Sequence, residues 1–117
     1  GRIYRDQKNY IEAGNYFLRA TKLKRDSPEA WSELAGVCVL AQLYPQALDA
    51  LEQLHQLNAE KPGHFYLRAI VLDKMRSQKP AIANYQRFLE LSGGKYPDEE
   101  FKARQRVRIL EHEVNGR

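Results

Sequence analysis

Residues 28–57 read PEAWSELAGVCVLAQLYPQALDALEQLHQL, and the placement of apolar residues in this stretch decides the fold. Trp31, Leu34, Ala35 and Cys38 recur at the i, i+3, i+4, i+7 spacing of one helix face. Ala47, Leu51 and Leu54 follow the same rule after a break at Pro45, with Leu48 and Leu57 beside them. Ser27 is a suitable N-cap, Pro28 stands where a missing N–H costs least, and Glu29 favours the positive end of the first helix. Two short helices with a very short link make an antiparallel hairpin.

The hairpin is one copy of a longer pattern. Ala13, Ala47 and Ala81 stand 34 residues apart. Four residues later come Phe17, Leu51 and Tyr85, then Ala20, Leu54 and Phe88, then Leu23, Leu57 and Leu91. A fixed period in this range marks a supersecondary unit copied and stacked. In the third copy Pro62 opens a helix over 65–75 and Pro80 another over 81–91. That copy stops at Gly93-Gly94, residues suited to a left-handed C-cap, and Pro97. Asp98, Glu99 and Glu100 then begin a last helix running to about residue 114. Its apolar stripe is Phe101, Ala103, Val107, Leu110 and Val114; Lys102, Arg104, Arg106, Arg108, Glu111 and Glu113 occupy the remaining faces. One apolar side among wet ones describes a helix that closes a stack. Strand signals are absent, so the fold class is all-α.

The pattern resembles the tetratricopeptide repeat, a 34-residue helix–turn–helix unit. With Pro28 first, Trp31, Leu34, Ala35, Ala47, Leu51 and Leu54 fall on that family's aromatic, large and small positions. The unit from Pro62 matches with Phe65, Ala69, Leu72, Ala81, Tyr85 and Phe88, and an incomplete first unit with Gly1, Tyr4, Ala13, Phe17 and Ala20. Arg68 departs from it, standing where leucine is usual. The tail from Ser92 is similar to the closing segment of bacterial members. The resemblance implies a right-handed α-solenoid of stacked antiparallel hairpins with a C-terminal capping helix. It covers one domain over 1–117: a truncated repeat at 1–27, repeats at 28–61 and 62–94, and a cap at 95–117. Because Gly1 falls mid-helix in this register, the parent chain is expected to continue upstream.

The resemblance also implies where a partner sits, since the first helix of each unit lines the concave surface. That places Arg2, Arg5 and Asp6 there, then Glu29, Ser32, Gly36, Val39 and Leu40, then Gly63, Tyr66, Ile70, Asp73 and Lys74. The partner-binding set read from these is Arg2, Arg5, Ser32, Val39, Leu40, Tyr66, Ile70, Asp73 and Lys74. Arg2, Gly36 and Ile70 occupy the places where some members clamp a peptide's terminal carboxylate, and they do not support such a clamp. An extended or helical peptide with apolar anchors and an acidic residue fits better.

Charge narrows the alternatives. Residues 1–27 hold seven Lys/Arg against three Asp/Glu, 28–61 one against five, 62–94 five against two, and 95–117 six against five. The alternating sign argues against a continuous basic stripe tracking a phosphate backbone. Lys102, Arg104, Arg106 and Arg108 are spaced by two and so split between sides of a helix. Nucleic acid is therefore an unfavoured partner, with Arg108, Arg2 and Arg5 its best candidates. The longest apolar run, residues 36–41, is too short to span a bilayer.

No catalytic or metal constellation is found. His55, His64 and His112 lack helical ligand spacing, and Cys38, the single cysteine, sits at a repeat-core position. Gly93-Gly94-Lys95 lacks the spacing of a phosphate loop. The sequence thus predicts a non-enzymatic scaffold for a protein or peptide, without metal or cofactor, in cytoplasm or periplasm. The competing reading is an accessory region of a larger enzyme, such as a transferase.

Overall fold

The computed structural model of the chain describes residues 2–23 and 26–116, the side chains of residues 2–8, 10 and 17 excepted. Every regular element among the described residues is an α-helix: α1 (Arg2–Leu23), α2 (Pro28–Leu40), α3 (Tyr44–Gln56), α4 (Pro62–Lys74), α5 (Gln78–Ser92) and α6 (Pro97–Asn115). The chain divides into two compact units, Gly1–Glu60 and Lys61–Arg117. In the first, α1 packs on α2 and α2 on α3; in the second, α4 packs on α5 and α5 on α6. None of these helices is long and apolar enough to cross a membrane.

In the first unit Ser27 is extended and its Oγ accepts from the Ala30 N–H at 3.4 Å, which starts α2 as its capping chemistry requires. Leu34, Ala35, Cys38, Ala47, Ala50, Leu51 and Leu54 are buried, so α2 and α3 close on each other through the residues that the repeat aligns. Burial raises the pKa of the Cys38 thiol, which suits an inert core position. In the second unit Ala69, Ala81, Tyr85, Phe88, Ala103 and Leu110 form the core, with Phe65, Tyr66, Ile70, Leu72 and Val107 packed around it.

The 34-residue period extends to the backbone. Gln42 and Arg76, one period apart, both take left-handed conformations, with φ of 61° and 63°. At each, the same two hydrogen bonds finish the preceding helix: Gln42 N–H to Val39 O and Leu43 N–H to Cys38 O, at 3.1 and 2.8 Å. The second copy has Arg76 N–H to Asp73 O and Ser77 N–H to Leu72 O, at 3.0 and 2.8 Å. This pairing satisfies the last carbonyls of a helix and reverses the chain within two residues. The period also reaches α6, because Ala35, Ala69 and Ala103 stand 34 apart and each has 0% exposure.

Several details differ from the sequence reading. The short first hairpin is not formed; α1 runs unbroken from Arg2 to Leu23. The segment 2–13 has neither proline nor glycine, and Ile11 stands where Pro45 breaks the next copy, so nothing interrupts the helix. Phe101 leaves the apolar stripe of α6 and is 58% exposed. Its place is taken by Glu100, buried at 4% exposure, whose Oε2 accepts from the Tyr96 N–H at 2.8 Å. A carboxylate reaching back to an unpaired N–H at a helix start is favoured by both the hydrogen bond and the helix dipole. Arg68, standing where leucine is usual, places its guanidinium 5.7 Å from the centre of the Phe65 ring, over an aromatic face.

The left-handed turn gives a direct check. Replacing Gln42 by Gly removes a conformational cost of about 1–2 kcal/mol, partly offset by the greater freedom of glycine in the unfolded chain, about 0.5–1 kcal/mol. Gln42→Gly is expected to leave stability unchanged or raise it by up to about 1 kcal/mol in urea unfolding, whereas β-branched Gln42→Val lowers it by about 1 kcal/mol or more. A Val variant as stable as the parent would contradict the turn geometry.

Candidate functional site

Asp73 lies in the last turn of α4, Tyr85 in the middle of α5 and Arg106 in the middle of α6. Their side chains meet. The Asp73 carboxylate accepts from Arg106 Nε at 2.7 Å and Nη2 at 2.8 Å, a two-pronged pairing, and from the Tyr85 hydroxyl at 3.0 Å. All three helices of the unit are thereby joined at one carboxylate. Gln78 Nε2 donates to Glu113 at 2.8 Å and Gln86 Nε2 to Glu111 at 3.2 Å, fastening α6 to α5 at two further points.

The electrostatics follow from this geometry. Burial works to raise the Asp73 pKa, but the hydrogen bonds from Arg106 and Tyr85 and the charges of Arg106 and Lys74 outweigh it, holding the carboxyl below its ordinary range. Burial, then the neighbouring carboxylate, pushes the Tyr85 phenol well up, so its hydroxyl stays a donor. The hydrogen bond to Asp73 binds the Arg106 proton more firmly than usual.

Two hollows flank this cluster. One, of about 340 Å³, is lined by Ile70, Asp73, Lys74, Tyr85 and Arg106. The other, of about 560 Å³, is lined by Asp73, Arg76, Gln78, Arg106, Leu110 and Glu113. Asp73 and Arg106 belong to both. The first unit has an apolar hollow of about 290 Å³ over Trp31, Leu34 and Cys38, bounded by Ile11 and Leu18 of α1 and Leu43 and Ala50 near or on α3.

Of the residues read from sequence as partner-binding, Ile70, Asp73 and Lys74 come together in the smaller hollow. Lys74 is exposed, and Ile70 is half-buried against the core. Tyr66 lies beside the hollow but faces inward: its ring centre is 4.9 Å from that of Phe88 and 6.1 Å from that of Tyr85. In the first unit Ser32 and Val39 are half-buried and Leu40 is 59% exposed. The side chains of Arg2 and Arg5 lie outside the described residues.

Arg106 is the residue that sequence reasoning assigned to a wet face. It is three residues after Ala103 and four before Leu110, both buried, so it shares their side of α6. The spacing alone placed it inward; its charge concealed this. His64 also gains a structural role, its Nδ1 accepting from the Lys61 N–H at 2.9 Å to start α4, while His55 pairs with Glu60 at 2.6 Å. Gly93 and Gly94 have φ of 57° and 84°, and Gly93 is the left-handed cap of α5. Among the described residues no three His, Cys, Asp or Glu side chains gather as metal ligands.

No family model matches the chain, and no curated protein matches it.

The cluster has a defined pH signature. The native Asp73 carboxyl has a lower pKa than the unfolded one, so its contribution is fully present above the unfolded value, about 3.9, and is lost as pH falls through the lower native value. Asp73→Asn is expected to cost about 1–2 kcal/mol at neutral pH, discounted because the Arg106 side chain is 39% exposed and recovers water contacts. The unfolding curves of parent and variant should converge once pH drops below the native value. Tyr85→Phe should cost about 1 kcal/mol. Acid titration of both variants by circular dichroism checks these expectations, and a gap that persists in strong acid would be inconsistent with the assignment.

Proposed function

We propose that the chain is a segment of right-handed α-solenoid, resembling the tetratricopeptide repeat, that works without catalysis as a scaffold for a partner protein or peptide. α2 and α4 act as the first helices of two stacked hairpins, and α6 takes the same place in a third unit and closes the stack. The candidate contact residues are Val39 and Leu40 on α2 and, separately, Ile70, Asp73 and Lys74 on α4.

The observation carrying the reading is the agreement of three independent periodic features at 34 residues. They are the fully buried alanines at 35, 69 and 103, the left-handed turns at 42 and 76, and the open positions at 40 and 74. Leu40 and Lys74 are equivalent residues of successive copies, and both are exposed. An array that repeats its buried contacts also repeats its exposed ones, which is how helical repeats form extended binding surfaces. Gly36 supports the same surface: a Cβ added there would meet nothing within 4 Å, leaving room for a guest backbone.

Affinity capture from the protein's own cell extract, using the protein that carries this chain, tests the proposal. Leu40→Gln and Lys74→Gln alter exposed positions without placing negative charge at a helix C-terminus and should leave the melting temperature nearly unchanged. Each is expected to lose the same captured partner. Retention of that partner by both variants would reject the surface.

A further inference from the structure

The strong donor group held in a fixed orientation at the hollows is the Arg106 guanidinium. It has five N–H donors in a rigid fork. One from Nε and one from Nη2 go to Asp73, and the remaining three have no acceptor among the described residues. The group is held side-on by Asp73, which Tyr85 in turn holds, so its orientation is set before any ligand arrives. A guanidinium fixed in this way receives a second carboxylate at its free edge with little further loss of freedom.

We propose that the free edge of Arg106 receives a carboxylate side chain of an extended acidic peptide lying in the hollows of α4, α5 and α6. The inference rests on the scaffold reading and names the ligand chemistry at that site. Because Arg106 and Asp73 line both hollows, a peptide acid at this point has the half-buried Ile70 beside it as an apolar neighbour. Lys74 and Arg76 add positive charge around the site. Glu113 opposes them but is already engaged by Gln78. Asp73 and Glu113 together disfavour a polyphosphate chain, whose closely spaced charges would meet both carboxylates. A peptide can present one acid and place apolar residues elsewhere.

The probes are two blocked nine-residue peptides, leucine-flanked with a central Asp or its Asn isostere, and a single-stranded RNA of nine uridines. Binding is followed by calorimetry and by the ¹⁵N-labelled arginine side-chain resonances. The Asp peptide is expected to bind about tenfold or more tightly than the Asn peptide, to shift the Arg106 resonance, and to weaken with added salt. Arg106→Gln should make the two peptides equal. The comparison of peptides on the unaltered protein requires no variant to fold. Equal or absent binding of the Asp and Asn peptides, or tighter binding of the RNA, would overturn the assignment. If the partner captured through Leu40 and Lys74 is still retained in that case, the Arg106 assignment falls and the scaffold reading stands.

Discussion

Two helices approach most closely where nothing larger than a methyl group stands between them. Ala35, Ala47, Ala69, Ala81 and Ala103 meet that condition, each with no measurable exposure. Close approach at these points brings Leu51 and Leu54 of α3 onto α2, and Tyr85 and Phe88 of α5 onto α4 and α6. Protein interiors tolerate extra volume poorly, so these positions constrain every neighbour. The large residues adapt to the alanines. Phe65 and Tyr66 pack against this core as half-buried groups.

The same constraint positions the polar cluster. With Ala69 and Ala103 buried on either side of α5, α4 and α6 both lie within side-chain reach of Tyr85. Asp73 follows Ala69 by one helical turn and Arg106 follows Ala103 by just under one, so the two project from corresponding places. The tyrosine hydroxyl supplies what the hydrocarbon contact leaves unmet, a donor for the buried side of the carboxylate.

Much of this was legible in sequence, for definable reasons. The alanine spacing, the proline breaks and the glycine stop are local signals, and they give the helices from α2 onward to within about three residues. The resemblance implies a truncated repeat over 1–27, whereas α1 is continuous because residues 2–13 contain nothing that breaks a helix. Phe101 and Glu100 exchange roles because the Tyr96 N–H needs an acceptor, which the Glu100 carboxylate supplies. The charge of Arg106 likewise conceals an inward position. Its position between Ala103 and Leu110 was readable; its partner, 33 residues away on another helix, was not.

Asp73 breaks two local rules at once. It is an acid near the C-terminal end of α4, where the helix dipole disfavours negative charge, and it is substantially buried. Arg106 and Tyr85 compensate, yet a pair of well-packed apolar residues can generally match a buried ion pair in stability. Stability alone is therefore a weak account of the cluster. What an apolar pair could not supply is an oriented guanidinium bordering open space, with three donors that meet no acceptor among the described residues. Local rules broken and then compensated are typical of positions with work beyond folding. The cost of burying Asp73 is best understood as the cost of aiming Arg106.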